Sequence, residues 1–248
     1  MSDEKILLAH GSGGKLSHDL IKQIFLPQFL NPLLEPLDDS AKITNRQGSI
    51  AFTTDSYVVN PIFFPGGDIG KLAVCGTVND LSMIGATPSC LSLSLIIEEG
   101  FSIELLKQII FSIHKVAEQA GVNIVTGDTK VVENGAVDQL FINTAGIGWI
   151  RSGVNLSGVN AKPGDQILLS GYLGDHEMAV LSQREGFKFQ GELNSDCAPL
   201  NDLVRKMLNA CPSIRCMRDP TRGGLATTLN EIASMSKVGM VIGEDKIP

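Results

Sequence analysis

Between residues 102 and 120 the chain sets Leu106, Ile109, Ile110, Ile113, Val116, Ala117 and Ala120 at helical spacing, which predicts a helix buried along one face. Ser102 is placed to cap its start and Gly121 to stop it. Runs of β character flank this helix, an alternating one over 90–98 and two more over 123–132 and 139–150. A further strand is expected over 49–59, and a helix rich in small residues over 69–85. This alternation is that of an α/β protein. A turn-rich stretch over 151–165, ending in Lys162-Pro163-Gly164-Asp165, reads as a linker. Beyond it the pattern restarts, with strands expected over 166–170, 214–218 and 240–244 and helices over 175–184, 200–210 and 221–236. Two α/β domains are therefore expected, 1–155 and 160–248. The second is expected to be cut short, because the run over 239–243 begins a sheet that nothing before Pro248 completes.

Composition narrows the function. Aromatics are 5% of the 248 residues, so the cores must be built from Leu, Ile, Val and Ala. A net charge of -7 with no block of Lys and Arg argues against a nucleic-acid partner. The longest apolar runs, such as 91–97, are too short to span a bilayer, and the first residues carry no secretory pattern, so a cytoplasmic protein with no membrane partner is expected. Five cysteines without CxxC spacing suggest neither a disulfide framework nor a zinc site and read as structural. The four histidines form no recognisable metal set.

The glycine-rich segment His10-Gly11-Ser12-Gly13-Gly14-Lys15-Leu16 is not a P-loop, since Ala9 and Leu16 stand where Gly and Ser or Thr are required. The dinucleotide fingerprint fails at Leu16 as well. What stands out is an acidic set, Asp39, Asp55, Asp80, Asp128 and Asp219, mostly near strand ends beside Gly, Ser or Thr. Converging carboxylates would suit Mg²⁺, a hard ion usually shared with substrate phosphates, and neighbouring glycines let backbone N–H groups approach phosphate oxygens. Taken singly, Asp219 before Pro220 also reads as a helix cap, and Asp128 as a turn residue. Asp80 is harder to explain so, because it shares a close-packed helix face with Ala73, Gly76 and Thr77 and needs a partner there, a metal or a lysine. Lys71 and Lys130 are the basic candidates for phosphate contact, Lys130 being the better one for catalysis.

The strings LAHGSGGK, FTTDSYVVNPIFFPGGDIGKLAVCGTVNDL, IVTGDTKVV, LFINTAGIG, LGDHEMAVL and RDPTRGGL resemble those of the HypE family of hydrogenase maturation proteins, in the PurM-like superfamily that includes aminoimidazole ribonucleotide synthetase. The resemblance implies a PurM-like α/β (α+β) fold, with an N-terminal mixed sheet that dimerises and a second α/β domain, incomplete here. It implies ATP and Mg²⁺ in a cleft between them. Metal ligands would be Asp39, Asp55, Asp80 and Asp219; Gly11, Gly13, Gly14, Lys71, Asn79, Gly127, Asp128 and Thr129 would bind the nucleotide, and Lys130 would be catalytic. The implied reaction is ATP-dependent dehydration of a C-terminal cysteine S-carboxamide to a thiocyanate, the source of a metal-bound cyanide. The implied partners are a second copy, the carbamoyltransferase HypF, and a HypC–HypD complex that accepts the cyanide. The family's terminal cysteine has no counterpart among residues 1–248, so this chain is expected to bind nucleotide without completing the reaction. Carboxamide transfer onto it by the partner transferase would overturn that expectation. Two rival readings are a sister ATP-using enzyme and a nucleotide-sensing dimeric scaffold. The selenophosphate synthetase type carries a reactive Cys or selenocysteine near the N-terminal loop, and none stands here.

Overall fold

The computed structural model describes residues 4–37, 40–44, 48–187, 189, 191–221 and 223–248. A short helical stretch opens the chain, α1 (Lys15–Leu20) and α2 (Leu26–Phe29) flanking a π-helical turn. Strand β1 (Ser49–Tyr57) and the hairpin of β2 (Phe63–Phe64) and β3 (Gly67–Asp68) lead into helix α3 (Ile69–Met83). Then come β4 (Ala86–Glu98), α4 (Ile103–Ala120), β5 (Asn123–Val132) and β6 (Leu140–Ile150). The four long strands form one mixed sheet in the order β1-β6-β4-β5, antiparallel except for the parallel pair β4 and β5 that α4 connects.

Helices α3 and α4 each start where a side chain satisfies backbone N–H groups that no helical turn can reach. The Asp68 carboxylate accepts from Gly70 N at 2.7 Å and Lys71 N at 3.0 Å, and the Ser102 hydroxyl accepts from Leu105 N. Helix α4 stops at Gly121 in the left-handed conformation. Its stripe Leu106, Ile109, Ile110 and Ile113 is fully buried, as the spacing predicts. Helix α3 is buried on nearly all sides, since it lies against the sheet, against α4 and under a later segment of the chain. Its run of small residues is what lets it fit there.

The helices cover only one sheet face. Along β1, Ala51 and Tyr57 are buried on that side, while Ile50, Phe52, Thr54 and Ser56 point the other way and are exposed. Across the sheet this open face carries a polar row, Ser56-Asn143-Ser94-Asp128, and beside it the row Phe141-Ile96-Lys130.

The second half holds α5 (Asp175–Glu185), α6 (Asn201–Ala210) and α7 (Gly224–Ser236). The strands expected over 166–170, 214–218 and 240–244 do not form. A strand persists only when its backbone groups find a ladder, and among the described residues these runs find none. Leu168 is 82% and Val241 97% exposed, so their apolar side chains lack the packing that gives β-prone residues their preference. Met83 at the end of α3, with Leu156, Val204 and Leu208, forms the core that joins the two halves.

Candidate functional site

The acidic residues gather first from β1 and α3. Alternation along β1 puts Thr53 and Asp55 on the same face, toward α3, where Asp80 lies. Thr53 Oγ1 donates to Asp80 Oδ2 at 3.0 Å, so the partner the sequence demanded for Asp80 is a hydroxyl. Asp219 approaches from the second half. Its carboxyl is pushed up to about 6 by burial, with repulsion from Asp80 next in weight. Asp80 itself is raised by burial and by Asp55, against the lowering pull of the Thr53 hydrogen bond and of Arg218. Asp219 does not cap a helix, because α7 begins at Gly224 with Gly223 as its cap. Asp39 lies outside the described residues.

Asp80 and Asp219, both raised in proton affinity with Asp55 beside them, leave negative charge only partly compensated, and a cation would relieve it. Among the described residues, no three His, Cys, Asp or Glu side chains converge tightly enough to hold a metal alone. Mg²⁺ takes one or two carboxylates and fills its remaining positions with water and substrate phosphates, so Asp80 and Asp219 are the residues that could share in holding it.

A second group lies at the opposite edge of the sheet. The glycine-rich loop rests on β5, so closely that a Cβ on Gly11 would overlap Val131 N. The loop is held from within, with Gly13 N donating to Ser17 Oγ at 2.9 Å and His18 N to Gly14 O at 3.1 Å. Gly127 is glycine for a local reason, as a Cβ there would meet Leu93 O on the paired strand. Asp128 Oδ1 accepts from Thr129 N at 2.9 Å, and Lys130 stands exposed on the open face.

Within one chain these two groups do not meet. Asp55 pairs with Thr144, Thr144 with Leu93 and Leu93 with Gly127, so three strand spacings, roughly 14 Å, separate β1 from β5. Asp128 and Lys130 also point to the face opposite Asp55 and Asp80. Lys71 and Asn79 take a third position on α3. Lys71 Nζ donates to Gly66 O at 2.8 Å. Asn79 accepts from Leu200 N at 2.7 Å and donates to Ala198 O at 3.1 Å, so its amide holds a chain segment in place. Sequence reasoning overlooked Thr53 and Arg218. Thr53 was legible from the i, i+2 alternation with Asp55, whereas the reach of Arg218 toward Asp80 needs the tertiary fold.

Comparison with known proteins bears on this arrangement. Residues 37–150 match the family described as AIR synthase related protein, N-terminal domain, and residues 162–248 match its C-terminal domain. The chain is 51% identical to the carbamoyl dehydratase HypE of Cupriavidus necator over 245 residues, covering 98% of this chain and 70% of that one. It superposes on a crystal structure of hydrogenase maturation protein HypE in complex with ATP with a TM-score of 0.90 and 55% identity, over 93% of this chain and 68% of that one. A crystal structure of a HypE–HypF complex gives a TM-score of 0.79 and 54% identity, over 92% of this chain and 74% of that chain. Among the described residues no helix is long and apolar enough to cross a membrane. With these matches running through both halves of the chain, the chain belongs to the HypE family of hydrogenase maturation proteins, on the AIR synthase related fold.

Proposed function

We propose that this chain binds Mg²⁺-ATP and carries the site that dehydrates a cysteine S-carboxamide to a thiocyanate, the carboxamide being presented from outside residues 1–248. The observation that carries the reading is the mutually repelling set Asp55, Asp80 and Asp219, in a chain that superposes closely on a HypE bound to ATP. An amide oxygen is a poor leaving group. Transfer of the γ-phosphoryl group onto it makes it leave as phosphate, and loss of both N–H protons with cleavage of the C–O bond leaves the nitrile. Positioning and charge neutralisation dominate phosphoryl transfer. Asp80 and Asp219, with Asp55 beside them, would hold the metal, which neutralises phosphate charge when bound. Thr53 fixes the Asp80 carboxylate by its hydrogen bond. Within one chain Lys130 is exposed on the face opposite Asp55 and Asp80, so it is a candidate base for the amide protons only where a second copy covers it. HypF, found with HypE in a solved complex, would supply the carboxamide, and a HypC–HypD complex would take the cyanide.

Calorimetric titration tests the nucleotide site, with saturable ATP binding expected only when Mg²⁺ is present. A peptide bearing an S-carboxamide cysteine, supplied in trans, is then expected to lose one water with matching release of ADP and phosphate. Failure to bind ATP would sink the nucleotide reading. Phosphate release with an unchanged carboxamide would leave an ATPase and reject the dehydratase.

The open sheet face supports a second element of the reading, a homodimer formed face to face. It presents Ile50 and Phe52, 57% and 69% exposed, beside a hydrogen-bonding row, and a second copy laid on it would also cover Lys130 and Asp128. Phe52→Asp is expected to convert a dimer to a monomer in light scattering with little change in the fold, because Phe52 is largely exposed on the open face. A dimer that survives this charge would place the interface elsewhere.

A further inference from the structure

Residues 195–201 cross α3 as a strap fastened along its length. Ser195 N donates to Pro65 O at 2.9 Å, and its hydroxyl meets His176 Nδ1 at 2.9 Å. Asn79 grips Ala198 and Leu200, and Asn201 Nδ2 donates to Ala120 O at 2.8 Å. Between these anchors Cys197 packs on the core cluster that contains Cys75, and the grip of Asn79 on Ala198 sets Cys197 over the turn of α3 that begins at Cys75. Both are free thiols, Cys75 being 2% exposed and Cys197 half-buried. Lys71, one helical turn before Cys75, brings a positive charge to Cys197. The neighbouring Cys75, with Lys71 adding to it, holds the Cys197 thiol below its usual range, while Cys75 is pushed up. Cysteine spacing gives no sign of this pair, since residues 75 and 197 are far apart in the chain.

We propose that Cys75 and Cys197 are an oxidisable dithiol whose disulfide stitches the strap to α3. The oxidant class is a small disulfide such as oxidised glutathione. The Cys197 thiolate attacks one oxidant sulfur, breaks its S–S bond and expels a thiolate that takes up a proton. Cys75 then attacks Cys197 Sγ, and the second thiolate leaves with the Cys75 proton. Two protein thiols are thereby oxidised to one disulfide, and one small disulfide is reduced to two thiols. The lower-pKa, more accessible Cys197 is suited to be the attacking group, and buried Cys75 the resolving one. The anchors on either side already hold Cys197 against α3, so closure needs no unfolding of the strap. The proposal does not rest on the nucleotide reading.

The test uses the folded chain carrying Cys211→Ser, which removes the exposed thiol. After exposure to oxidised glutathione the remaining thiols are alkylated and the peptides mapped. One disulfide-linked peptide containing Cys75 and Cys197 is expected, with Cys90 and Cys216 still alkylated, and with a higher melting temperature that dithiothreitol reverses. Cys75→Ala is expected to trap glutathione on Cys197. In the protein with both cysteines, a stable glutathione adduct on Cys197 beside a free Cys75 would overturn the proposal. So would a link that forms only in urea. The decisive readout is taken with both native cysteines in place, so it does not depend on the folding of the alanine variant.

Discussion

Asp80→Ala is expected to lower Mg²⁺-ATP-dependent turnover by on the order of 10²–10³-fold while leaving the fold intact. The magnitude follows from the position of the carboxylate. Asp80 lies in the acidic cluster between β1 and α3, fixed by a single hydroxyl at 3.0 Å and raised in proton affinity by burial and by Asp55. Such a group contributes little to stability, and its removal relieves repulsion on Asp219. The melting temperature of the metal-free variant is therefore expected to hold or rise. Turnover within about tenfold of the parent would show that the metal lies elsewhere. A collapse in melting temperature would show that Asp80 is structural. The two readouts separate chemistry from folding, which activity alone would not do.

The second large effect is a pH dependence of stability in the metal-free protein, set by Asp219. Its carboxyl titrates near 6 in the folded chain against 3.8 for an ordinary aspartate. The folded state therefore binds the proton more tightly than the unfolded state does. The stabilisation is fully present below about pH 4 and is lost as pH rises through about 6. For a half-buried group the loss is on the order of 2 kcal/mol. Asp219→Asn is expected to be more stable than the parent by that amount at pH 7, with the difference vanishing near pH 4. Denaturant titrations of both proteins in chelator, at several pH values, measure it. A constant difference across pH would mean that the carboxyl is solvated in the folded state. Mg²⁺ with ATP should shrink the gap, because a bound cation removes the reason for the raised proton affinity.

The dithiol and the acidic cluster both involve α3. Asn79, which grips the strap, adjoins Asp80 in the chain, and Cys75 lies about one turn earlier. Oxidation of the pair would therefore stiffen the turn that carries a proposed metal ligand. This gives the strap a route to the site that needs no large movement.

Local pattern determined much of this protein. The stripe over Leu106 to Ala120 specified α4 and its buried face, because helical period and capping are properties of adjacent residues. The small residues of α3 announced a close-packed helix, and Asp80 within it announced a need for a partner. The quoted strings carried the family. Tertiary structure alone decided that the candidate residues divide between two edges and two faces of one sheet, since strand order is a long-range choice that no local run encodes. It also turned Asn79 into a clamp and set Cys197 on the core cluster that contains Cys75, bringing together residues far apart in the chain. The runs over 166–170 and 240–244 have β-type sequence but no strand, because ladder hydrogen bonds need a neighbour that a strand's own residues cannot supply.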